Sequence, residues 1–381
     1  MSKVPLLISL ILLLTSISAA GAISVENVIK LNVTETELWD PVISPDGTKV
    51  AYIAYDDQHI QQVFVINTDG TERTKLTSDG FKKWGLAWEP DKIAYVSFGK
   101  DGLEKIFVIN PDGTENKQLI PDNTRQGNSI ERPVWAAPSW SPDGEFLVYT
   151  SLDEMANPKM YIVNADGTGK RLVFNDTFKQ WSPSISQDGK SIVYVSYNDR
   201  LREELFIVDI VDEAGTGRRQ LTFDEIKKNN PVWGPAGTIT YVSYEDVTSS
   251  AEKIFAINTD GTSRRLFIDS DYRQISPAFS HDGEKFSYAA IDSSGTVRIA
   301  VGDIAGITAA VPIATPAETA QAVTTQTVAP TAPAIETPIL EGIKEKQEEE
   351  GGVLWTMFMV LAVIIIVLLV LLVVSDILSK N

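Results

Sequence analysis

Few residues in this chain could do chemistry, and their types narrow that chemistry at once. The 381 residues include no Cys and only two His, so thiol nucleophiles, thiolate metal sites and disulfides are excluded. No Gly-x-Ser-x-Gly elbow, phosphate-binding loop or Cys-x-x-Cys-His haem site occurs. Carboxylates recur in Asp-Gly pairs, at Asp46, Asp69, Asp112, Asp143, Asp166, Asp188, Asp260 and Asp282. Carboxylates beside turn carbonyls suit calcium. The Asp-x-Asp-x-Asp-Gly loop that calcium sites use is missing, however, and tight turns favour Asp-Gly with or without a metal. We read these as turn residues and expect no metal, no cofactor and no catalytic group. What remains is a basic and aromatic set: Trp39, Lys83, Trp84, Arg132, Lys179, Trp181, Lys227 and Arg273. Aromatics interleaved with Lys and Arg suit recognition of a protein or glycan more than bond breaking.

The elements that must position this set are repeats. Six copies of one phrase run through the chain, at a spacing of roughly 45 residues, the period of a four-stranded propeller blade. The first turn of each copy reads Ser44-Pro45-Asp46-Gly47, Glu89-Pro90-Asp91, Ser141-Pro142-Asp143-Gly144, Ser186-Gln187-Asp188-Gly189, Gly234-Pro235-Ala236-Gly237 and Ser280-His281-Asp282-Gly283. The next strand carries Tyr52, Tyr95, Tyr149, Tyr194, Tyr241 or Tyr288 in a continuously apolar run, as blades stacked on both faces require. The third strand ends in Asn67-Thr68-Asp69-Gly70 or its equivalent, and the fourth copy is looser there. A bulky column before each first turn, Ile43, Trp88, Trp140, Ile185, Trp233 and Phe279, is assigned to the core between blades.

The sixth copy lacks its last strand. Lys30-Leu31 precedes Pro41 by the interval that separates Lys75-Leu76 from Leu86 and Gln220-Leu221 from Pro231. Residues 28–33 are therefore expected to close the ring as the outer strand of the last blade, removing two open sheet edges. On these motifs the repeat resembles the WD40-like PD40 repeat of the TolB propeller family, over about residues 26–305. The resemblance implies an all-β, six-bladed propeller of four-stranded blades. We expect the chain to depart from bacterial TolB in two ways, with no α/β domain before the propeller and a membrane anchor after it.

The ends carry their own signals. Residues 1–22 read as a secretory signal: Lys3, an apolar run, then Ala20-Gly21-Ala22. Residues 353–374 are uncharged and would span roughly 33 Å as a helix, enough for a bilayer. The secretory start implies a propeller outside and a short tail, 375–381, inside. Between propeller (23–305) and anchor, residues 306–352 form a stalk rich in Thr, Ala and Pro with an acidic end near the membrane. Asn32-Val33-Thr34 and Asn175-Asp176-Thr177 match the N-glycosylation acceptor. A net charge of −18 disfavours nucleic acid.

By propeller topology the loops between blades share one face, away from the Asp-Gly turns, and they carry the basic and aromatic set. His59 and His281 fall on opposite faces and cannot share a ligand. The sequence thus points to a non-catalytic, membrane-anchored receptor, scaffold or envelope component. The alternatives are a lyase or hydrolase acting on polysaccharide and a structural surface-layer component.

Overall fold

A computed structural model of the chain describes residues 23–306 apart from 32, 34–36, 90, 121–136 and 212–213. The transmembrane expectation at 353–374, the signal at 1–22 and the stalk lie outside the described residues, as do Asn32 and Arg132. Among the described residues no helix is long and apolar enough to cross a membrane.

The described chain forms six four-stranded antiparallel sheets. Each is a blade, numbered here in chain order. The first strands are Leu38–Ile43, Lys83–Glu89, Ser139–Trp140, Gln180–Ile185, Lys228–Trp233 and Arg273–Phe279. All six line a common cavity, which makes them the inner ring of the propeller. The antiparallel order puts the first-to-second and third-to-fourth turns on one side, the turn face. The second-to-third loops and the linkers between blades lie on the other, the loop face.

Blade 6 is closed by the N-terminal strand Ser24–Lys30, which pairs with Val297–Ala305 from Ser24↔Ala305 to Lys30↔Ala300. The expected strand is present, shifted a few residues earlier. The leucine used as a ruler is correctly placed: the Leu31 N–H donates to the Ile299 carbonyl at 2.8 Å, as Leu76 does to Val63 and Leu221 to Leu205. The fourth strands of blades 1 and 5 are only Thr74–Lys75 and Arg265–Leu266, whereas this one runs back along nearly the whole of its partner.

The repeated residues build the blades. Tyr52, Tyr95, Tyr194 and Tyr241 are buried, and burial raises their phenols well above the usual range. Arg73, Arg218 and Arg264 each donate Nε to the hydroxyl of Tyr52, Tyr194 or Tyr241 at 3.0–3.1 Å and lie about 4 Å over Phe64, Phe206 or Phe255. In blades 1, 4 and 5 this arginine is therefore a lid on the blade's tyrosine, while in blade 2 the Tyr95 hydroxyl donates to Asn116 Oδ1 at 2.8 Å. Asp69, Asp112, Asp166 and Asp260 accept from the amide and hydroxyl of the Thr two residues on, at 2.9 and 2.6 Å. Their carboxylates are occupied by the turn, and these bonds hold their pKa values below the ordinary one. The bulky column packs between blades as expected: Trp88 and Trp140 share one cluster, and Phe279 meets Phe267 of blade 5 at 6.1 Å.

Candidate functional site

The inner ring is not smooth. In blades 1, 2, 4, 5 and 6 the first strand slips register against the second, between Trp39 and Val42, Trp84 and Ala87, Trp181 and Ser184, Asn229 and Val232, and Ile275 and Ala278. Each slip is a bulge whose first residue has positive φ: Asp40 (47°), Gly85 (64°), Ser182 (52°), Asn230 (44°) and Ser276 (53°). Only one of the five is Gly, so the rest carry backbone strain that the ring imposes. Bulges re-aim side chains, and Asp40, Ser182, Asn230 and Ser276 line a cavity of about 200 Å³ together with Pro41, Pro183, Pro231 and Pro277.

At the loop-face end of this channel Asp40 is buried. Its Oδ2 accepts from the Gly85 N–H at 2.8 Å and its Oδ1 from the Ser276 hydroxyl at 3.4 Å, so one carboxyl joins blades 1, 2 and 6. Burial lifts its pKa to about 6, against the pull of those donors. At the turn-face end Glu89 stands where sister copies place a Ser or Gly. Burial and the nearby charge of Asp143 lift it to about 8. Its Oε1 lies 3.0 Å from His281 Nδ1, while the His281 N–H donates to the Pro45 carbonyl at 3.1 Å. Asn230 Oδ1 and the indole N–H groups of Trp140 and Trp233, also on the channel wall, have no hydrogen-bond partner among the described residues.

The basic and aromatic set behaves differently from the sequence expectation. Lys83 is buried, and its ammonium donates to Asp79 Oδ1 (2.6 Å), the Phe81 carbonyl (2.8 Å) and the Gln61 carbonyl (3.3 Å). Burial pulls its pKa below the ordinary lysine value, with Asp79 opposing. Trp84 and Trp181 are buried too, set at 5.3 and 5.2 Å against Phe98 and Tyr197, and half-buried Trp39 meets Tyr55 edge-on at 5.1 Å. These residues brace the linkers from inside. Lys179 is exposed, Lys227 half-buried, and Arg273 is exposed and paired with Glu252 at 2.5 Å. Asn175 of the glycosylation motif is exposed. His59 and His281 lie on opposite faces. The sequence reading missed Asp40 and Glu89. Glu89 had left a signal, since it breaks the Ser column of the first turns.

Comparison by family finds one match, described as the TolB beta propeller domain (PD40), over residues 24–265. The chain belongs to this family. Comparison with curated protein sequences finds no match. Among solved structures, TolB from Acinetobacter baumannii is similar at 17% identity and a TM-score of 0.52, covering 69% of this chain and 66% of its own length. A gluconolactonase from Xanthomonas campestris is similar at 13% identity and a TM-score of 0.53, covering 72% and 89%. At these identities the likeness is one of fold alone.

Proposed function

We propose that this chain is a non-catalytic, membrane-anchored extracytoplasmic propeller that holds a protein or glycan partner on its loop face, as a receptor, scaffold or envelope component. The signal-like start and the uncharged stretch at 353–374 support the location. One observation carries the choice of face. The two ends of the propeller, Ser24 and Ala305, are paired at the turn face, opposite the loop face. Met155, Leu201, Phe223 and Val247, the most exposed large apolar side chains described, all sit on loop-face segments.

The channel acids support the non-catalytic part. Asp40 and Glu89 occupy positions four residues apart along equivalent strands, roughly 13 Å at about 3.3 Å per residue. Paired carboxyls that cleave a glycosidic bond stand about 5–9.5 Å apart. The test uses the full-length chain in its native membrane with mild crosslinking. Capture of a discrete partner is expected to fall when Lys179→Glu is combined with Met155→Glu on the loop face, and to survive Asp69→Lys and Asp112→Lys on the turn face. The reverse pattern, or turnover of a uronate polymer that Glu89→Gln abolishes, overturns the reading.

A further inference from the structure

The repeat supplies its own controls for the exposed apolar residues. The second-to-third loops of blades 1, 2, 3, 4 and 6 are one five-residue turn, closed by the same pair of backbone bonds. In blade 4 the Asn198 N–H donates to the Arg202 carbonyl and the Leu201 N–H to the Asn198 carbonyl, each at 2.9 Å. The fourth residue has positive φ in all five: His59 (60°), Gly102 (74°), Ala156 (61°), Leu201 (58°) and Gly295 (85°). Blade 4 thus puts a leucine where two sister turns use glycine. It is 72% exposed, so packing within the propeller does not account for it.

The adjoining linker departs in the same way. Lys83 and Lys228 on first strands bind the carboxylates of Asp79 and Asp224, and Lys159 and Lys253 on third strands bind the carbonyls of Asp176 and Ser270, so four lysines anchor the linkers at corresponding positions. The residue just before that anchor is Ser78, Asn175 or Asp269 in three linkers and Phe223, 74% exposed, in the fourth. The two departures are neighbours. Arg200 and Arg202, which flank Leu201, reach Glu225, two residues past Phe223, at 3.1 and 3.7 Å. Two guanidinium groups, 80% and 60% exposed, share one carboxylate, which leaves donors facing solvent.

We propose that Leu201 and Phe223, rimmed by Arg200 and Arg202, dock an apolar segment of a partner protein that also carries a carboxylate. This deepens the loop-face reading and rests on it. Apolar anchors rimmed by arginine are the composition of an interface hot spot, and an unsatisfied guanidinium edge selects a carboxylate. Blades 1, 2, 3 and 6 form the same turn without this pair, so the fold does not require it.

The test places the photocrosslinker benzoylphenylalanine at Phe223 in the full-length protein in its native membrane, with parallel probes at Lys179 on the loop face and Asp112 on the turn face. The expected result is a protein adduct from position 223 whose crosslinked peptide contains apolar residues and an Asp or Glu. Leu201→Gly should keep or raise the melting temperature while cutting adduct yield by at least about fivefold. Phe223→Ser, probed from Leu201, should do the same. A lipid, glycan or second-copy adduct, a peptide without a carboxylate, or a lowered melting temperature in Leu201→Gly overturns the proposal. An adduct from Lys179 but none from Phe223 overturns it and leaves the loop-face reading standing. Adducts from Asp112 alone, or none at all, overturn both.

Discussion

Glu89 makes the sharpest stability prediction. Its carboxyl titrates at about 8 in the folded protein against 4.5 as an ordinary side chain. Between those values the native state holds a proton that the unfolded chain has released. Stability is therefore full below pH 4.5 and falls as pH rises through about 8. One pKa unit is about 1.4 kcal/mol, so the bare shift sets a ceiling near 4–5 kcal/mol. Glu89 is partly open to solvent, which screens the group, so we expect about 2 kcal/mol. For a propeller of this size that is roughly 4–8 °C in melting temperature. Glu89→Gln keeps the shape and an N–H donor toward His281 Nδ1 but cannot ionise. Thermal melts of both proteins at half-unit steps from pH 5 to 9 should show wild type losing ground to the variant as pH rises, with curves that meet near pH 5. The general repulsion from a net charge of −18 is common to both and cancels in the difference. Parallel curves would refute the assignment of a buried, proton-holding carboxyl at this position.

Other expectations follow from single contacts. Asp40→Asn retains an acceptor for the Gly85 N–H; since Asp40 titrates at about 6 against 3.8, the variant should gain about 1–2 kcal/mol over wild type at pH 8 by urea unfolding, and less at pH 5. Lys228→Met strands the fully buried Glu204, 2.8 Å from its ammonium, and should cost about 3–5 kcal/mol; adding Glu204→Gln should recover much of that in a double-mutant cycle. Gly167→Ala drives a Cβ to 2.1 Å from the Leu119 carbonyl of the preceding blade and should lower the melting temperature by about 6 °C or more, whereas Gly70→Ala, with similar φ and open space, should pay only backbone strain of about 1–2 kcal/mol.

Much of the architecture was legible because each structural role recurs. A tyrosine, an Asp-Gly turn or a Trp that returns at fixed spacing declares itself a building part, and the Leu31 ruler located the closing strand. Its span could not be read from the other copies, because their outer strands vary from two residues at Thr74–Lys75 to seven at Ala214–Gln220. The site was less legible for the opposite reason. Lys83 and Trp84 look like recognition residues in a linker, and only the fold shows the ammonium turned inward onto Asp79 and the indole against Phe98. Asp40 looks like an ordinary residue before proline until the bulge points it into the channel. Phe223 and Leu201 were readable in principle as breaks in aligned columns. Recognising them required the loop alignment that the hydrogen bonds supply.

The pairing of Ser24 with Ala305 also decides how the molecule would carry a mechanical load. Val297–Ala305 is held along one edge by Lys285–Ile291 and along the other by Ser24–Lys30. Hydrogen bonds in an antiparallel ladder lie across the strands. A pull on the chain beyond Ala305, transmitted against whatever is gripped on the far face, runs along that strand and strains both ladders at once instead of peeling them bond by bond. Deleting Ser24–Lys30 would leave a single ladder under the same pull, and single-molecule extension should show the rupture force drop sharply while the remaining blades unfold as before.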